Sequence, residues 1–93
     1  MSGDRYESVW DPIEATPEAA ENMRLRATLM LAIEESIRRK GWTHAEAANR
    51  LEVTRPRVSD LVRGKIDLFR LDALMNMAVA CGLRVEVRVA DAA

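Results

Sequence analysis

Apolar residues along this chain follow two different periods, and the changes between them mark the elements. Thr16-Pro17-Glu18 is a helix start: an N-cap, a proline at the first helical position and an acid in the first turn. Beyond it Leu25, Leu29, Ile33 and Ile37 recur at every fourth position, with Met30 beside them. The pattern predicts the longest helix over 17–39, stopped by Arg38-Arg39-Lys40-Gly41. Thr43 and Glu46 form a capping box, so a second helix starts at His44, with Ala47, Ala48 and Leu51 on its apolar stripe. A break follows at Glu52-Val53-Thr54. Thr54 is the N-cap of a third helix, Pro56 sits in its first turn, Val58, Leu61 and Val62 face inward, and Gly64 closes it. Residues 65–69 are expected as a loop with two or three buried anchors. A fourth helix is predicted over 71–81, with Leu71, Leu74, Met75, Ala78 and Val79 inward, and Gly82 stopping it. The period then becomes two. Leu83, Val85, Val87 and Val89 alternate with Arg84, Glu86 and Arg88, as in a half-buried strand. Residues 1–15 show no helical period. Tyr6, Val9, Trp10 and Ile13 stand among acids there, which predicts an acidic arm that docks on the rest.

The divisions are therefore an N-terminal arm (1–15), a helical body (16–82) and a C-terminal strand and tail (83–93). The expected fold is mainly α, with four to five helices and one strand. The pair of short helices over 43–64 carries the chemistry. Behind Val58 and Leu61, the third helix turns Arg55, Arg57, Ser59, Asp60 and Arg63 outward. A short helix with an apolar back and an arginine-rich front is what the major groove of DNA accepts. Arg55, at the start of that helix, suits a bidentate contact to guanine O6 and N7. Arg57 is more lateral and suits a base edge or a phosphate. Asp60 can accept from cytosine N4, or pair with Arg57 or Arg63. His44 can donate to a phosphate from the start of its helix.

The segment "THAEAANRLEVTRPRVSDLVRGKIDLFRLDAL" resembles the helix-turn-helix of Xre/Cro-type, lambda-repressor-like regulators. The longer frame, from "SVWD" through "GKIDLFRLDAL" to "GLRVEVRV", resembles small HigA-like antitoxins, partners of RelE/HigB-like toxins. The resemblance covers roughly residues 8–89. It implies operator DNA as a partner, contacts from Thr54, Pro56 and Ser59 on the reading helix, and phosphate contacts from Arg63 and Lys65. It also implies repression of the protein's own operon. Two departures stand out. Such proteins usually carry Gln, bracing a phosphate, where this chain has His44, and Gly in the turn where it has Glu52. A positive φ at Glu52 would cost about 1 kcal/mol.

Composition refines this picture. Ninety-three residues suffice for one domain with a small core. Aromatic residues are only 4%, so the core is aliphatic and suited to helices. Net charge is −1, which at first argues against nucleic acid, but the distribution reverses that. Residues 1–22 hold six acidic residues and one basic one, whereas residues 23–70 hold eleven basic and six acidic. A DNA binder needs a local positive face, not a high overall pI. The single Cys81 excludes an intrachain disulfide and fits a reducing cytoplasm. The opening residues lack the basic-then-apolar pattern of a secretory signal, and no apolar run reaches the length of a membrane span. His44 and Cys81 lack metal-site spacing. No nucleophile–base pair, carboxylate pair or glycine-rich phosphate loop is present, so neither an enzyme nor a cofactor is expected.

A lone strand leaves its backbone groups unpaired. Its partner is the N-terminal arm, a symmetry copy or another protein. A homodimer with Leu83, Val85, Val87 and Val89 at its interface is the expectation, since repressors of this size read paired half-sites. Three functions compete: an antitoxin, a stand-alone prophage-type repressor without a toxin, and a protein-interaction module that keeps the fold and binds no DNA.

Overall fold

The computed structural model describes residues 16–91. Four α-helices and one 3-10 turn make up this part: α1 (Pro17–Lys40), α2 (His44–Leu51), α3 (Arg55–Val62), the 3-10 turn Ile66–Leu68, and α4 (Leu71–Ala80). The acidic arm at 1–15 lies outside the described residues.

Local chemistry sets the helix starts. The Thr16 hydroxyl accepts from the Ala19 N–H at 3.1 Å, ahead of Pro17. At α2 the capping box is complete: Thr43 Oγ1 accepts from the Glu46 N–H at 3.1 Å, and Glu46 Oε1 accepts from the Thr43 N–H at 2.9 Å. Thr54 Oγ1 accepts from the Arg57 N–H at 3.3 Å and opens α3.

The helix ends share one device. After α1, Gly41 turns left-handed at φ 67°, its N–H bonding Arg38 O, while the Trp42 N–H reaches back to Ile37 O at 3.2 Å. This is the Schellman closure. It recurs after α3, where the Lys65 N–H reaches Asp60 O, and after α4, where the Leu83 N–H reaches Ala78 O, each over a glycine. After α2 the Val53 N–H reaches Ala48 O in the same way, but the left-handed residue is Glu52, at φ 59° and ψ 43°. It is the one non-glycine residue with positive φ among those described.

Ile33, Val58, Leu61, Phe69 and Leu74 are fully buried at the centre, with Met30, Ile37, Ala47, Ala48, Leu51, Met77, Ala78 and Cys81 around them. α1 packs along α4 and against α3, and α2 packs on α3. The inward stripe of α1 differs from the fourfold spacing predicted. Met30, Ile33, Ser36 and Ile37 are buried, Leu29 is half-buried and Leu25 is exposed. A helix turns 3.6 residues per turn, so a strict spacing of four drifts around its surface. α4 is likewise rotated from expectation. Leu74, Met77, Ala78 and Cys81 are buried, while Met75 and Val79 face out. Of the anchors expected in 65–69, Phe69 is buried and Ile66 half-buried, but Leu68 is exposed, because the segment winds into a 3-10 turn.

Residues 83–91 carry no strand in the single chain, where they have no second strand among the described residues to pair with. Leu83 and Val85 pack on the core, while Val87 and Val89 are 79% and 89% exposed within the single chain. Cys81 closes the core beneath α4. Burial pushes its thiol above the ordinary value, against the opposing pull of the Ser36 hydroxyl and the Lys40 charge. The buried Ser36 Oγ approaches the thiol without reaching full hydrogen-bond geometry.

Candidate nucleic-acid interface

Val58 and Leu61 anchor α3 in the core, and that anchoring decides which of its residues face solvent. Arg55, Ser59 and Arg63 follow one another at intervals of four, so they share one stripe. Arg55 and Arg63 are exposed and Ser59 is half-buried. Neither arginine forms an ion pair among the described residues. Thr54 and Pro56 are exposed at the start of the same helix, and His44 is exposed at the start of α2. The stripe thus presents two cations flanking a hydroxyl on a helix whose back is locked. That arrangement suits readout of base edges by Arg55 with phosphate neutralisation at the far end.

Two candidates are placed differently from expectation. Arg57 is half-buried and engaged with its own fold. Its guanidinium donates to Leu68 O at 2.8 Å, and its Cζ lies 4.1 Å from the centre of the Phe69 ring. The residue ties α3 to the segment that follows it, which takes it away from the exposed Arg55–Ser59–Arg63 stripe. Asp60 pairs with neither Arg57 nor Arg63. Its Oδ1 lies 3.7 Å from Lys65 Nζ. This partly exposed pair is weak, so a phosphate can compete for the ammonium.

Arg26 escaped the reading of the sequence. From α1 it donates to Phe69 O at 3.1 Å and to Ile66 O at 3.3 Å. Together Arg26 and Arg57 hold the 66–69 turn by its carbonyl oxygens and so fix the position of Lys65 next to it. A signal was available. Arg26, Met30, Ile33 and Ile37 form a stripe at i, i+4, i+7 and i+11, which puts a cation at a core-facing position. Trp42, in the turn between α1 and α2, is flanked by Lys40 Nζ at 5.6 Å and Arg50 Cζ at 5.2 Å from its ring centre. These contacts hold two further cations beside the Trp42 ring.

A helix-turn-helix domain family model matches residues 14–90. The chain belongs to this family. No match was found among curated proteins. The two helices of the pair are α2 and α3, joined by the turn at Glu52–Thr54. In this helix-turn-helix domain the second helix carries the exposed arginine stripe. No helix among the described residues is long and apolar enough to cross a membrane. No cluster of three or more metal-ligating side chains occurs among them.

Proposed function

We propose that this helix-turn-helix domain is a sequence-specific transcriptional regulator, a HigA-like antitoxin that represses its own operon and neutralises a RelE/HigB-like toxin. The observation that carries the DNA-binding part is the exposed Arg55–Ser59–Arg63 stripe on a helix fixed from behind by buried Val58 and Leu61. Arg55 reads a base, Thr54, Pro56 and Ser59 line the contact, and Arg63, Lys65 and His44 meet phosphates. Arg57 and Arg26 position the reading surface. Two copies on paired half-sites supply the affinity that one short helix cannot. The antitoxin part is supported by the resemblance of the frame over residues 8–89 to HigA-like proteins.

Selection from a randomised duplex pool tests the first part. Arg55→Ala should cost about 1–3 kcal/mol and relax preference at one base pair. Lys65→Ala should weaken binding to every sequence and flatten the salt slope by about one. Enrichment of no sequence by the wild-type protein overturns the reading. Co-purification with the product of a neighbouring toxin-like gene tests the antitoxin part, and its absence leaves a stand-alone repressor.

A further inference from the structure

The C-terminal segment has apolar and hydrogen-bonding capacity that the single chain leaves unused. The Leu83 N–H bonds Ala78 O, and no later backbone group forms a hydrogen bond among the described residues. The side chains nevertheless keep a period of two. Leu83 and Val85 turn onto the core, whereas Arg84 and Glu86 turn to solvent. Arg84 Nε lies 3.8 Å from Glu86 Oε2, so these two share one side of the chain. By the same period Val87 and Val89 belong to the inward side, yet they stand exposed. With Leu25 of α1 and Met75 of α4 they line one open groove.

The charge pattern identifies the occupant. Arg84, Glu86 and Arg88 read plus, minus, plus at alternate positions. A second copy running antiparallel can meet this segment in few registers. Centring on Glu86 sets Glu86 against Glu86 and Arg84 against Arg88, and like charges opposite one another are unfavourable. Centring between residues sets apolar positions against polar ones. Centring on Val85 satisfies Arg84 with Glu86 but carries Val89 past the end of the pairing, opposite Cys81 below α4. Centring on Val87 sets Glu86 opposite Arg88 twice, sets Val85 opposite Val89 twice, and puts Val87 on the axis. Of these registers it alone both sets opposite charges together and covers both exposed valines.

We propose that residues 84–90 pair with the same residues of a second copy as an antiparallel two-stranded ribbon centred on Val87. The ribbon supplies each chain's backbone with partners and seals the groove between α1 and α4. It deepens the reading of a regulator acting as two copies, but it is tested without DNA, so the two can fail separately.

Sedimentation equilibrium on the full chain carries the test, with circular dichroism to confirm that each variant folds. All three substituted side chains are exposed, so the fold should persist. The wild type should be dimeric at tens of micromolar. Glu86→Arg and Arg88→Glu, each alone, should weaken the dimer roughly tenfold or more by reversing two cross-strand pairs. The double variant E86R/R88E should restore it. Arg84→Glu should change little, because position 84 opposes Ala90. A monomeric wild type overturns the proposal and leaves the groove to the N-terminal arm or to another protein. Rescue of Glu86→Arg by Arg84→Glu instead of Arg88→Glu also overturns it, because that is the signature of the register centred on Val85.

Discussion

Replacing Glu52 by glycine should stabilise the protein. Glu52 occupies the left-handed position of the closure after α2, a position that the other three helices give to glycine. Three terms set the magnitude. A residue with a Cβ in this conformation costs about 1 kcal/mol relative to glycine, and up to about 2. A carboxylate at a helix C-terminus opposes the helix dipole, by about 0.3 kcal/mol for an exposed group such as this one. Against these, glycine gives the unfolded chain more freedom, which takes back about 0.5 kcal/mol. The balance is about 1 kcal/mol in favour of the glycine variant, a rise in Tm of about 4–8 °C for a domain of this size. Thermal unfolding followed by circular dichroism measures it. Glu52→Ala and Glu52→Gln separate the terms, because both remove the charge and keep the Cβ. They should melt close together and slightly above the wild type, with Glu52→Gly clearly above both. A glycine variant that melts no higher than the alanine variant would refute the strain argument, whatever the wild type does.

Arg57→Ala should destabilise the fold by about 2 kcal/mol, since it removes a charged donor from Leu68 O and uncovers the Phe69 ring, and Arg57→Lys should recover only part of this; urea unfolding decides. Cys81 predicts a loss of stability at alkaline pH. Its folded thiol titrates above the ordinary value of 9.0, so its contribution is complete below that value and is lost as pH rises through the folded pKa. Unfolding midpoints for wild type and Cys81→Ala should therefore converge above pH 9, and parallel profiles would count against it.

The parts of the fold legible in the sequence are those decided within one helical turn. Thr16, Thr43 and Thr54 each bond a residue three positions on, so a cap is visible in four letters. Gly41, Gly64 and Gly82 mark the ends of α1, α3 and α4 for the same reason. What stayed illegible depends on contacts distant in sequence. Arg57 has the composition of a groove contact, and only the return of the chain at Leu68 and Phe69 gives it another task. Asp60 has two candidate partners by proximity, Arg57 and Arg63, and takes a third, Lys65, because the Gly64 turn swings that lysine back over the helix. The α1 stripe departs from a spacing of four because 3.6 residues per turn carry Leu25 off the buried face that holds Ile33 and Ile37. The period-two segment was recognised as alternating, but a strand needs a second strand, and no sequence pattern supplies one.

The grip of Arg26 and Arg57 on the turn after α3 has a consequence for how this surface can diversify. All three acceptors are peptide oxygens, of Ile66, Leu68 and Phe69. Every amino acid carries that oxygen. The identities of Asp67 and Leu68, both exposed, are therefore not what keeps the turn in place. Substitutions can accumulate at these two positions while the backbone beneath them, and the lysine beside it, keep their place. Constraint has moved from the turn to two arginines 31 residues apart in the chain, neither of which lies in the turn it shapes.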